Sequence, residues 1–310
     1  MPSLDRARRR SQVRALARDQ DGVVSRRQLV ELGLTRWQVK AELRARRWRA
    51  HGRQTIATHT GDLTGTARYW SATFEAGPRA AIDGASALVL AGLEGHEPGS
   101  IRVSVPRGAY VVRQPGLNVR QTRRLKDADV VAAGVRRVRV EVAAVRAALW
   151  AVSHRQAALL IVMPAQQRLT TAEAIGRALL DVRRDKRRRL IEAVLLDVLD
   201  GAHSMGELDF GQMCRARRLP RPDRQVLRRG RDGRVYLDVY WRSYGIVVEI
   251  DGAQHLKVDA DVPDALRQNA LSLNGDVVLR VPVLGLRVAP DDFFAQITEA
   301  LVARGWTPPS

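Results

Sequence analysis

DVYWRSYGIVVEIDGAQH, residues 238–255, sets three carboxylates, Asp238, Glu249 and Asp251, beside the apolar, β-branched runs Val239-Tyr240 and Ile246-Val247-Val248. Burying a carboxylate near a hydrophobic sheet is costly unless something compensates it. A hairpin whose turn is centred between Ser243 and Tyr244 places Asp238 directly opposite Glu249, with Cβ atoms roughly 5 Å apart. Asp251, two residues on, shares that face, while Leu237, Val239, Val248 and Ile250 face a core. Like charges opposed across a sheet destabilise it. Three converging acids are therefore tolerable when they face water, share protons or bind a cation. Hard oxygen donors in this number suit Mg²⁺ or Mn²⁺, which would polarise a phosphate and activate water.

The rest of the chain frames that cluster. Its 310 residues are enough for two or three domains, and 45% hydrophobic with 27% charged residues is a globular composition. The longest unbroken apolar stretch, Ala157 to Met163, is far short of the roughly 20 residues that span a bilayer. Arg6, Arg8, Arg9 and Arg10 are followed by no apolar region, which argues against a secretory signal. One cysteine, Cys214, excludes an internal disulfide and a cysteine-cluster zinc site. These features lead to the expectation of a cytoplasmic protein with no membrane partner.

The net charge is +19, and it is uneven. Residues 1–206 hold 37 Lys and Arg against 19 Asp and Glu, whereas residues 207–310 hold 15 against 14. A surplus of that size in the first two-thirds favours an anionic partner, nucleic acid first. Because 48 of the 52 basic residues are Arg, a GC-rich genome is the competing explanation.

In the N-terminal segment, Arg6 to Arg18 has a helical pattern that stops at Asp21-Gly22, and Val23-Val24 reads as a short extended piece. Ser25 stands three before Gln28, and Thr35 three before Gln38, the spacing of capping boxes. Gly33 falls where the end of the first capped helix needs a left-handed residue. Two capped helices joined by Gly-Leu have helix-turn-helix spacing. The second carries Arg36, Lys40, Arg44, Arg46 and Arg47, as a helix facing phosphates and base edges would. RRWRAHGRQTIA, residues 46–57, is expected to form a wing, with Trp48 inward. Residues 10–58 resemble the winged-helix domain at the N-terminus of AbiEi-type antitoxin-like proteins. That resemblance implies DNA binding, with Arg36, Lys40, Arg44 and Arg47 at the nucleic acid. Small winged helices also dock on proteins, which is the alternative.

Residues 61–200 are less explicit and resemble the middle region that follows the winged helix in the same family. Ala80 to Leu93 reads as an apolar helix. SIRVSVPRGAYVVRQPGLNVRQTRRL alternates as a half-buried strand pair broken by Pro106 and Pro115. VEVAAVRAALWAV and TTAEAIGRALLDV read as amphipathic helices, the second capped by Thr170 or Thr171. Arg183 to Arg189, RRDKRRR, is either a phosphate patch or a solvated helix face. Trp37, Trp48, Trp70, Trp150 and Trp241 are expected mostly in cores.

After residue 204 the pattern is helix, hairpin, helix, strand and helix, the first helix running from Glu207 to Arg218 with Ser204 as cap. This arrangement resembles the PD-(D/E)xK nuclease superfamily, in the branch close to very-short-patch-repair (Vsr-like) endonucleases. The resemblance rests on Asp238, Glu249-Ile250-Asp251-Gly252 and His255, followed by Asp264, Arg267, Asn269, Leu271, Gly275 and Arg280, with Glu207 on the first helix. It implies Asp238, Glu249 and Asp251 as metal ligands and, with His255 and Arg267, as the catalytic set. The superfamily's usual lysine, two residues after the Glu, is Asp251 here. An aspartate cannot stabilise developing hydroxide as an ammonium does; His255 is the substitute as base or water orienter, and Lys257 or Arg267 would face the phosphate.

The fold class expected is α/β and multidomain: an N-terminal winged helix-turn-helix over 1–60, a mixed α+β antitoxin-like middle region over 61–200, and a PD-(D/E)xK restriction-endonuclease-like α/β domain over 204–310. The expected function is a DNA-binding protein with a Mg²⁺- or Mn²⁺-dependent endonuclease-like domain, a hydrolase of DNA phosphodiester bonds. The alternative is a transcriptional regulator or toxin–antitoxin component with an inactive nuclease-like scaffold, whose partners are a cognate toxin or its own operator.

Overall fold

The computed structural model describes residues 2–111, 114–199, 210–229, 235–251, 265–266, 269 and 278–309, with the backbone alone described at 2–6, 224–229, 235, 236, 238 and 251. Its mixed α/β structure divides into two units, Met1–Arg146 and Ala147–Ser310. The division falls inside the stretch read from the sequence as one middle region, and the boundary expected at 200–204 lies outside the described residues.

The first unit begins with α1 (Pro2–Asp19), which ends where Asp21 and Gly22 both take positive φ, 50° and 82°. Strand β1 (Val23–Ser25) leads into α2 (Arg26–Glu31) and α3 (Arg36–Arg44). Both expected capping boxes are present: the Gln28 amide donates to the Ser25 hydroxyl and the Gln38 amide to the Thr35 hydroxyl, with each Gln side chain answering the cap's own N–H. Gly33 has φ +77°, as the tight exit from α2 requires. Strands β2 (Arg49–Ala50) and β3 (Thr55–Ala57) follow, and the sheet order is β1-β3-β2, antiparallel throughout. Val13, Ala17, Val24, Leu29, Leu34, Val39 and Ile56 form the core beneath, with Trp48 packed against it.

Next come α4 (Gly65–Ala76), β4 (Ala81–Ile82), α5 (Gly84–Leu90), β5 (Ile101–Pro106), β6 (Leu117–Thr122), β7 (Val130–Val131) and β8 (Arg137–Val138). The five strands are ordered β6-β5-β4-β8-β7. The expected strand pair is β5 with β6, and it is parallel, Ile101 opposite Leu117. The helix expected over Ala80–Leu93 is shorter than its apolar pattern. Ala81 and Ile82 are instead fully buried at the sheet centre, between β5 and β8, and Asp83 caps α5 by accepting from the Gly84 amide.

That cap lies in an ion-paired cluster. The Asp83 carboxylate has no exposed surface; it accepts from Ser104 Oγ at 2.6 Å and from Arg146 Nη1 at 2.8 Å. Arg146, on α6 (Val140–Trp150), also pairs with Asp129 and donates to the Arg124 carbonyl. Buried charges persist only when paired and hydrogen-bonded, and here both partners are.

The second unit holds α7 (His154–Gln166), α8 (Ala172–Leu180) and α9 (Arg188–Leu199). Thr171, the second of the two expected caps, accepts from the Ala174 amide. Within the basic run, Arg187 is buried and donates to the Leu149 carbonyl, and Arg188 donates to the carbonyls of Leu179 and Val182. Two of its guanidiniums thus bond carbonyls at or just past helix C-termini, a use that neither reading of the run anticipated.

Helix α10 (Phe210–Ala216) precedes a four-stranded sheet in the order β12-β11-β10-β9, from β9 (Arg224–Arg229), β10 (Val235–Trp241), β11 (Ile246–Asp251) and β12 (Val278–Pro282). Ser204, Glu207 and the Asp232-Gly233 turn lie outside the described residues. Helices α11 (Val283–Val288) and α12 (Pro290–Ala303) close the chain. Leu237, Val239, Trp241, Ile246, Val248 and Ile250 are buried together with Phe210, Phe293 and Phe294, whose burial contributes roughly 1.5–3 kcal/mol per large side chain. Phe210 stacks on Phe294 at 5.3 Å and meets Trp241 edge-on, and the indole N–H donates to the Pro220 carbonyl. Gly285 sits so close to Phe293 that a Cβ there would lie 2.4 Å from its ring, so only glycine lets α11 meet α12 this way.

Candidate functional site

Two regions carry the candidate functional side chains, one in each unit. In the first unit, α3 buries Val39 and Glu42 and exposes Arg36, Trp37, Lys40, Ala41 and Arg44. The Glu42 carboxylate accepts from Arg10 of α1 and from Arg47, both at 2.5 Å. The hydrogen bond from Arg47 leads the causes that hold its carboxyl below the ordinary range, against the upward push of burial. These two ion pairs neutralise the one acid of α3, and the pair with Arg10 ties α3 to α1, so the charges on the outer side of α3 are all cationic. Arg36, Lys40 and Arg44 are exposed on that side. Arg47 is half-exposed but spends its Nε–H on Glu42.

Trp37, expected with the other tryptophans in a core, is the exception. Its side is opposite the apolar stripe, and the residue is 75% exposed with Lys40 Nζ 5.5 Å from the ring centroid. Trp241 is buried, and Trp48, Trp70 and Trp150 are half-buried.

The β2–β3 hairpin is held from α4 by Glu75, which sequence reading missed. Its carboxylate accepts from three consecutive amides, Arg53, Gln54 and Thr55, at 2.8–3.0 Å, and from Thr55 Oγ1 and Gln114 Nε2, each at 2.8 Å. Burial pushes this carboxyl up, but the hydrogen bonds from Gln114, Thr55 and the hairpin amides outweigh it and leave it below the ordinary value. Gly52 makes the approach possible, since a Cβ there would stand 2.4 Å from Glu75 Oε1. The signal available in the sequence was only the glycine in the hairpin loop; the carboxylate is 20 to 22 residues from the amides it binds.

In the second unit the hairpin register is the expected one: Asp238 pairs with Glu249 and Tyr236 with Asp251. The loop Arg242–Gly245 closes it, with Gly245 at φ +63°. Leu237, Val239, Val248 and Ile250, of the opposite parity, are buried as anticipated. Glu249, with 26% of its side chain exposed, lies 3.4 Å from Arg280 Nε, its register partner across the parallel β11–β12 pair. The fully buried Asn269 in turn donates to the Arg280 carbonyl at 2.8 Å and accepts from its amide at 2.9 Å. Gln296 of α12 completes the arrangement by accepting from Asn269 and donating to the Leu266 carbonyl.

Asp238 and Asp251 are described here by backbone register alone; His255, Lys257, Asp264, Arg267, Leu271, Gly275 and Glu207 lie outside the described residues. The structure thus brings Asp238, Glu249 and Arg280 into adjacent register positions on three neighbouring strands. No helix among the described residues is long and apolar enough to cross a membrane. No protein-family model matches the chain, and no curated protein matches it.

Proposed function

We propose that this protein binds duplex DNA through a winged helix-turn-helix at its N-terminus and hydrolyses phosphodiester bonds with a PD-(D/E)xK-like C-terminal domain. The observation that carries the DNA-binding reading is α3. Three cations, Arg36, Lys40 and Arg44, recur every fourth residue on its outer side, and the helix's one acid is buried under two arginines. The order helix–strand–helix–helix–strand–strand with sheet order β1-β3-β2 supports the winged-helix reading, in which the second helix of the pair would enter the major groove. Arg47 and the hairpin arginines would extend the cationic track along the phosphates.

The hydrolytic reading rests on the register of Asp238 against Glu249. Two hard carboxylate donors at one sheet position, one of them partly open to solvent, fit Mg²⁺ or Mn²⁺ in donor chemistry. Asp238 and Glu249 would hold the cation, with Asp251 as a third ligand or an outer acid. The cation supplies Lewis-acid polarisation of the phosphate and acidifies water. His255 would take or orient the water's proton, and Arg267 would hold the phosphate. Arg280 pairs with Glu249 from the neighbouring strand.

The Glu249–Arg280 ion pair also favours a second reading. A guanidinium that already neutralises Glu249 lets the sheet persist without a metal, as in a DNA-binding regulator or antitoxin-like protein whose nuclease-like domain is only a scaffold.

The test of DNA binding is fluorescence anisotropy of a labelled duplex between 50 and 300 mM salt on the order of the range where phosphate contacts are read out. Wild type is expected to lose affinity steeply with salt. The triple variant Arg36→Ala/Lys40→Ala/Arg44→Ala is expected to bind more weakly, with a salt slope shallower by roughly one per phosphate contact removed. An unchanged affinity and slope in the variant removes α3 from the interface.

A further inference from the structure

Resting on the DNA-binding reading of α3, we infer that Trp37 reads DNA sequence, by seating its indole against the 5-methyl group of a thymine in the major groove. Trp37 is the second residue of α3 and is 75% exposed, the most exposed tryptophan among the described residues whose exposure is given. Large aromatic rings left in water are unusual, because burying one is among the largest apolar gains a side chain can make. The ring is held ready: Lys40 Nζ stands 5.5 Å from its centroid one turn along, and the Thr35–Gln38 capping box fixes the backbone on which it stands.

What surrounds the ring identifies its occupant. An apolar protein partner would be matched by a contiguous hydrophobic patch. Trp37 instead stands among Thr35, Arg36, Lys40 and Ala41, all exposed, with Leu34 and Val39 turned into the core. One apolar ring in a cationic border fits a surface that is anionic and offers isolated apolar groups. Duplex DNA is such a surface. Phosphates line the groove, and the only apolar group on the major-groove edges is the thymine methyl. Residues at the N-terminal end of a recognition helix are those that reach base edges, and that is the position Trp37 occupies. The division of labour on α3 follows. Arg36, Lys40 and Arg44 supply affinity that is indifferent to sequence, while the indole distinguishes A·T from G·C.

The experiment uses the full chain and a random-sequence duplex pool, selected with wild type and with Trp37→Ala and sequenced. Each enriched duplex is then remade with deoxyuridine in place of single thymidines, which removes only the methyl group. Wild type is expected to enrich sequences with a fixed thymine and to lose roughly fourfold in affinity on its replacement by uracil, the equivalent of one buried methyl. Trp37→Ala is expected to bind thymine and uracil duplexes alike, with an unchanged melting temperature because the ring supports no core. Trp37→Phe is expected to keep part of the discrimination. If Trp37→Ala discriminates as wild type does, or wild type ignores every uracil replacement, the inference is overturned while DNA binding stands. If no duplex binds at all, the DNA-binding reading falls and takes the inference with it. A self-association of wild type that Trp37→Ala abolishes, with thymine discrimination intact, assigns the ring to a second copy of the chain and overturns the inference.

Discussion

Asn269 satisfies both main-chain groups of Arg280, donating to its carbonyl at 2.8 Å and accepting from its amide at 2.9 Å. Among the described residues strand β12 is an edge of its sheet, and its outer N–H and C=O groups face no strand there. One buried carboxamide serves as that missing strand for a single residue. The residue it serves is the one whose guanidinium meets Glu249, so the amide clamp and the acid position are a single mechanical unit.

Replacing Asn269 by Ala removes the carboxamide that the part-buried N–H and C=O of Arg280 bond to. A loss of roughly 2–6 kcal/mol is expected, from about 1–3 kcal/mol for each orphaned group. Asn269→Asp keeps the acceptor but sets a buried carboxylate against the Arg280 carbonyl, and is expected to lose at least as much as Ala. Urea unfolding of the full chain measures both; a midpoint unchanged in the Ala variant contradicts the clamp.

Glu75 holds the β2–β3 hairpin through its ionised form. Its folded-state carboxyl is depressed, so its stabilisation is fully present above the ordinary carboxylate value of 4.5 and is lost as pH falls further, through the folded-state value. Glu75→Gln is expected to cost about 1.5–3 kcal/mol near pH 7, the range for a hydrogen bond to a charged acceptor. It should also flatten the acid side of the stability profile. A variant that loses as much stability at acid pH as wild type would show that Glu75 stays unprotonated or contributes nothing there.

Arg146 and Asp83 are predicted to fail asymmetrically. Arg146→Ala strands a fully buried carboxylate and is expected to cost roughly 3–5 kcal/mol. Arg146→Met with Asp83→Asn restores much of that loss, because no buried charge remains. Thermal melts of the single and double variants check this; equal losses in both would show that shape, and not charge, decides.

Features set by short spacing were legible before any coordinates. A capping box is three residues long, so Ser25–Gln28 and Thr35–Gln38 could be read directly. Pleat parity fixes which residues of a hairpin oppose, so the Asp238–Glu249 register followed from the turn position alone. Trp37 could have been placed by the same kind of argument, since it lies two residues before the buried Val39 and thus on the far side of α3. The weight given to aromatic burial obscured it. Glu75, Asp83–Arg146 and the Asn269 clamp were not legible, because each joins residues 11 to 63 positions apart by contacts that only the tertiary fold brings together. Asn269 and Arg280 were singled out in sequence, but the main-chain bonds between them carry no pattern.

The most direct measurement is relaxation of supercoiled plasmid by the full chain in Mg²⁺ or Mn²⁺, with wild type and Asp238→Ala matched for DNA binding. The proposed hydrolysis predicts nicked or linear product from wild type only when the cation is present. It predicts none from Asp238→Ala, although that variant still binds the plasmid. Equal product from both proteins, or none from wild type with either cation, contradicts it and leaves the C-terminal sheet as a scaffold.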